Sequence, residues 1–193
     1  MTRQYQIQKI TGKPDWNKIE KAPIDQKLWL LCGQVSAYAQ LAYDDSRLYV
    51  RLHAEEPTIR AENTGVLDQP CQDSCLEFFF SAAEQDARYI NIELNPSLCI
   101  YFGFGTGRED LMRILLPDGA KTLHAASERT PSGWDVTYEP HFHIQFSLWC
   151  YTDAREILES SVVSIAFRLN KRNVRKNLRF AKITKNEKLL EMC

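Results

Sequence analysis

The sequence of 193 residues contains no apolar run approaching the roughly 20 residues of a membrane helix. Behind Met1, TRQYQIQKI carries no apolar leader core, so a cytoplasmic protein without membrane contact is expected. Glycine and proline are sparse, 8 of each, and nowhere gather with serine into a linker. One domain spanning 1–193 follows as the expectation. Neither sign of charge dominates: the net charge is −1, which removes any global electrostatic case for nucleic acid. GFGTG at 103–107 lacks the helix that a nucleotide fingerprint requires after it.

Cysteine is present but without a framework. Cys32, Cys71, Cys75, Cys99, Cys150 and Cys193 are scattered, which predicts free thiols. Cys71 and Cys75 lie four apart, yet no second pair follows at zinc spacing. His141 and His143 could chelate a metal from one face of an extended segment, but no third ligand converges on them. The histidines and cysteines form no recognised nucleophile motif. Helical periodicity is nearly absent as well. One cap-like spacing, Asp153 to Glu156 before Ile157, predicts a single short helix.

What the chain does have is alternation. Leu48, Val50 and Leu52 alternate with Tyr49, Arg51 and His53, and Asp44-Asp45-Ser46 before them is turn chemistry, which predicts a hairpin with 35–43. Ile-Tyr-Phe-Gly-Phe within 98–104 reads as a strand, as do 120–128 and 134–140 around the Pro131-Ser132-Gly133 turn. Val163, Ile165, Phe167 and Leu169 alternate strictly, and 178–183 supplies a last strand. Many short strands with turn signals between them predict an all-β fold, an antiparallel β-sandwich of immunoglobulin or jelly-roll type with at most one short helix. Trp29, Trp134 and Trp149 are expected in the core, and Trp16 against its outside.

The most informative stretch is 68–95. Leu76, Phe78 and Phe80 alternate with Cys75, Glu77 and Phe79, and Ile90, Ile92 and Leu94 alternate with Tyr89, Asn91, Glu93 and Asn95. If the two segments pair with their apolar faces together, Glu77, Asn91 and Glu93 share the opposite face. A Glu turned toward a core without a partner costs several kcal/mol, so that face is either solvated or a polar site. With Glu77 outside the core, its removal is expected to change stability by no more than about 1 kcal/mol.

DSCLEFFF followed by YINIELN, with LAYDDSRLYVRLHAEEP upstream and SGWDVTYEP and SIAFRLN downstream, resembles family 9 carbohydrate-binding modules and their DOMON-like relatives. The resemblance implies a β-sandwich that binds a saccharide on a polar concave sheet face without catalysing a reaction. It places Glu77, Asn91 and Asn170 among the hydrogen-bonding residues, while Glu93 keeps its reading as a structural residue. It implies structural calcium without placing the ligands in this sequence, and no other cofactor. Two departures stand out: Cys71 occupies the position of the first stacking Trp, and Tyr89 that of an Arg two residues before Asn91. The segment after Asn170 offers no second Trp. Tyr89, Tyr101, Phe102 and Phe104 are the aromatics that could substitute, against a core role for each.

The expected partner is thus a saccharide, held by Glu77, Asn91, Tyr89, Asn170 and Cys71. The alternative is a degenerate sandwich serving as a protein-interaction or accessory domain in carbohydrate metabolism. A catalytic or metal-dependent role ranks third, because no carboxylate pair for glycoside hydrolysis is identifiable. The basic run at 168–188 reads as a solvated edge rather than a nucleic-acid surface.

Overall fold

A computed structural model describes residues 5–25, 35–81 and 87–140, together with the backbone of two strands, 162–168 and 181–184. The strands in chain order are β1 (Gln8–Lys9), β2 (Ala22–Pro23), β3 (Ser36–Tyr43), β4 (Leu48–Glu55), β5 (Cys75–Ser81), β6 (Tyr89–Leu94), β7 (Ile100–Gly105), β8 (Met112–Arg113), β9 (Ala126–Arg129), β10 (Gly133–Tyr138), β11 (Val162–Arg168) and β12 (Ala181–Thr184). They form two sheets of six strands. The first runs β1-β3-β4-β10-β9 with β2 also on β3, and the second runs β12-β11-β5-β6-β7-β8.

Alternation explains why the sheets face each other. Leu48, Val50 and Leu52 of β4 and Trp134, Val136 and Tyr138 of β10 turn inward from the first sheet. Leu76, Phe78, Ile90, Ile92, Phe102 and Phe104 meet them from the second. Phe78 and Tyr138 touch edge to face across the interface, with ring centroids 6.1 Å apart. The molecule is a β-sandwich, and the predicted hairpins 35–54 and 75–95 both form as paired strands. At the first turn Asp44 Oδ1 accepts from Ser46 N at 2.7 Å and Arg47 N at 2.8 Å, the local bonding that makes Asp a turn residue.

β1 adds one short parallel pairing with β3 to an otherwise antiparallel sandwich. Two expectations need correction or placement. The strand expected over 120–128 begins only at Ala126, because Asp118 accepts from Lys121 N and caps a short helix, α1 (Gly119–Thr122). The helix expected near 153–158 lies outside the described residues, as do Trp29, Trp149, the histidines 141 and 143, and most of the basic run.

The outer face of the first sheet is closed by a polar network. Asp135 accepts from Arg51 at 3.0 Å and lies 2.9 Å from His53 Nδ1, while Gln40 donates to the carbonyls of Trp16 and Ile19, each at 2.6 Å. These bonds hold the 10–21 segment against the sheet, with Trp16 packed on Ile19, Ala42 and Tyr49 as expected. Burial pushes the Asp135 carboxyl up, but the bonds from His53 and Arg51 outweigh it and hold it below its ordinary value. Stability from this carboxylate is therefore present above the unfolded-state value near 4 and is lost as pH falls through the lower folded value. Asp135→Asn should flatten the acid limb of a plot of melting temperature against pH, and an unchanged limb would show that the network carries no charge-dependent stability.

Glu56 shows the opposite sign. It is 5% exposed and accepts from Trp134 Nε1 at 2.6 Å, yet burial raises its carboxyl above the ordinary value. Its ionised form is thus a cost in the folded state at neutral pH. Glu56→Gln, which keeps an acceptor for Trp134, should melt no lower than the parent at pH 7, and the difference between them should vanish below about pH 4. Glu56→Ala should lose about 1–3 kcal/mol in denaturant unfolding, because the buried indole N–H is left without its acceptor.

Candidate functional site

The outward face of the second sheet carries the polar residues that the alternation of β5 and β6 displays. Pairing sets Glu77 opposite Glu93 and Phe79 opposite Asn91, and β7 adds Tyr101 beside Glu93 and Gly103 beside Asn91. Glu77, Asn91 and Glu93 are 4%, 3% and 8% exposed, so this face is not an ordinary solvated surface. Asn91 Nδ2 donates to Glu93 Oε1 at 2.8 Å, and Asn91 Oδ1 accepts no hydrogen bond among the described residues. Glu93 is therefore part of the polar group itself. The expectation that removing Glu77 changes stability little is also corrected, because a group this buried is held by its surroundings.

Half-buried aromatics surround the polar group. Phe79 and Tyr89 pack together with centroids 5.8 Å apart, and burial, assisted by the charge of Asp110, raises the Tyr89 hydroxyl above its ordinary value. Tyr101 lies on the β7 side. Phe102 and Phe104, the other two aromatics considered, point into the core. Cys71 sits half-buried in the 3-10 turn Pro70–Gln72, near enough for its thiol to act electrostatically on Tyr101 and Cys99. Asn170 lies outside the described residues.

Two loops frame this face. In the 60–73 loop, buried Asp73 accepts from Asn63 N and Asn95 Nδ2, each at 2.8 Å, and Asp68 accepts from Gly65 N at 2.7 Å. Arg113 of β8 then ties that loop to the sheet, donating to the carbonyls of Leu67, Val66 and Asp68 at 2.9, 2.6 and 2.8 Å. In the second loop Asp110 accepts from Thr106 and Gly107, and the chain folds back over β7. A Cβ on Gly105 would lie 2.8 Å from Asp110 O, and one on Gly103 would lie 2.8 Å from Leu111 Cδ2. At 105 the approach is of backbone and requires glycine, whereas at 103 the space is taken by the side chains of Tyr101 and Leu111. The glycine alternation in Ile-Tyr-Phe-Gly-Phe-Gly was the sequence signal for the second loop; nothing local signalled the reach of Arg113.

Residues 10–121 match the sequence model of carbohydrate-binding family 9. The chain belongs to that family. Solved structures share its fold at low identity. A candidate carbohydrate-binding protein from Bacteroides uniformis is 14% identical, with a TM-score of 0.68 over 96% of this chain and 100% of that one. A family 9 module from Caldicellulosiruptor kristjanssonii in complex with glucose is 15% identical, with a TM-score of 0.54 over 94% of this chain and 96% of that one. The same bacterium's family 9 module in complex with cellotriose is 15% identical, with a TM-score of 0.55 over 94% of this chain and 93% of that one. No curated protein matches the chain.

Structural calcium is the metal that the family resemblance implies, and the cysteine and carboxylate side chains that cluster among the described residues can be compared with what it requires. The group able to hold a metal there is Cys75, Glu77 and Glu93, whose ligand atoms lie within 4.8 Å of one another. Calcium takes six to eight oxygen ligands. A buried thiol with two carboxylates does not fit it.

Cys71, Cys75 and Cys99 form no disulfide, as the scattered spacing predicted. Burial pushes the Cys99 thiol up to about 11, whereas Cys71 is half-buried. Labelling of the native protein with a thiol reagent near pH 7.5 should therefore modify Cys71 before Cys75 or Cys99, because only thiolate reacts. Mass mapping of the first adducts checks this order.

Proposed function

We propose that this chain binds a saccharide non-covalently through the face that carries Glu77 and Asn91. The observation that supports this reading is the combination on one sheet face: buried carboxylate and carboxamide groups ringed by the half-buried aromatics Phe79, Tyr89 and Tyr101. A pyranose has the matching chemistry. Its vicinal hydroxyls each donate and accept, so a carboxylate and an amide on adjacent strands can engage neighbouring hydroxyls. Its C–H faces are apolar and suit aromatic rings. Strands hold these groups at fixed spacing, which limits the side-chain freedom lost on binding.

Family membership supports the class of ligand, and the complexes of the Caldicellulosiruptor kristjanssonii module with glucose and cellotriose make those sugars the first to test. Binding alone accounts for the groups present, and no covalent step is assigned to them. Cys71 takes the place where the family resemblance puts a stacking Trp, which leaves that side of the face with a small thiol.

Glu77→Gln and Asn91→Ala should each weaken glucose or cellotriose binding by about 1–3 kcal/mol in titration calorimetry, the cost of losing a hydrogen bond to a buried polar group. Cys71→Trp should tighten it by about 0.5–1.5 kcal/mol beyond added burial if the sugar lies beside the turn. Affinity that ignores all three substitutions would move the site elsewhere. No affinity for any glycan on an array would favour the accessory-domain alternative.

A further inference from the structure

Tyr101 has the strongest placement of any side chain on this face. It stands opposite Glu93 on β7, and the next residue on the same side of the strand, Gly103, stands opposite Asn91. The Tyr101 ring fills the space that a side chain at 103 would need: a Cβ there would lie 2.7 Å from Tyr101 Cε1. The ring therefore leans along the sheet from Glu93 toward Asn91, alongside two of the three polar groups. Arg113 holds it in that place, with its guanidinium carbon 5.0 Å from the ring centroid. The cation itself is fixed by the carbonyls of Val66, Leu67 and Asp68, so a loop distant in sequence sets the position of the ring.

We propose that Tyr101 is the aromatic platform of the site, packing its exposed ring surface against the C–H face of a pyranose whose hydroxyls meet Glu77, Asn91 and Glu93. The inference rests on the saccharide-binding reading above. The other two aromatics are committed differently, since Phe79 and Tyr89 pack on one another. Arg113 acts as a positioning residue that keeps the ring preorganised, so little side-chain freedom is lost when the ligand arrives. Glycine at 103 is part of the same device, because any larger residue displaces the ring.

The test is calorimetry with glucose and cellotriose on the full chain and on Tyr101→Phe, Tyr101→Leu, Arg113→Ala and Glu77→Gln. Tyr101→Leu keeps bulk but removes the ring, and should weaken binding about tenfold, the scale of one aromatic contact. Tyr101→Phe should stay within about threefold of the parent, and Arg113→Ala should weaken binding with the Tyr101 side chain intact. On the unaltered protein, intermolecular NOEs from glucose C–H protons to the Tyr101 ring are expected. Their absence overturns the proposal even where Tyr101→Leu fails to fold. If Tyr101→Leu binds like the parent while Glu77→Gln loses affinity, the platform assignment fails and the saccharide site stands. If the parent binds neither sugar nor any glycan on an array, or if neither substitution changes affinity, both readings fall.

Discussion

The register between β5 and β6 is the constraint on which the rest of this molecule depends. With Glu77 opposite Glu93, Leu76, Phe78, Ile90 and Ile92 all face the first sheet, and the polar residues all face away. A slip of one residue would turn one of the two strands over and drive either Glu77 or the pair Asn91 and Glu93 into the apolar interior. Burying such groups without partners costs several kcal/mol each, against a total stability of about 5–15 kcal/mol for a whole domain. The same pairing that builds the core thus assembles the candidate site, and neither can move without the other.

Loops complete what the strands begin. Asp73, Asn95 and Asp68 tie the 60–73 segment through backbone N–H groups and side-chain amides, and Arg113 joins that segment to the sheet through its carbonyls. An irregular loop carries many unpaired backbone groups, and these side chains satisfy them locally. As a result Cys71 and Tyr101, thirty residues apart in sequence, lie near enough to act on each other electrostatically. The opposite surface of the sandwich is held by the Arg51, His53, Asp135 and Gln40 network, which fastens the 10–21 segment.

Much of this was legible from the order of residues alone. Period-two alternation with β-branched and aromatic residues fixes strand identity, since each set must lie on one side of a pleat. That argument reached both central hairpins, the inward Trp134 and the common face of Glu77, Asn91 and Glu93. It failed at the start of 120–128, where an Asp cap outweighed strand propensity over a few residues, and no local pattern reveals the parallel partner of β1.

Burial and reach were decided by tertiary structure. From alternation, Glu77 was outside the core, but alternation is blind to what covers the far side of a sheet, and the residue is 4% exposed. The aromatic at 101 looked like core packing in a string of four candidates, and its separation from Phe102 and Phe104 required the sheet to be assembled. Arg113 shows the limit most clearly. Its partners lie 45–47 residues upstream, at Val66, Leu67 and Asp68. Sequence determines which way a side chain leaves its own strand, because that follows from local backbone geometry. Only the folded chain determines what it meets there, because that depends on segments brought together by closing long loops.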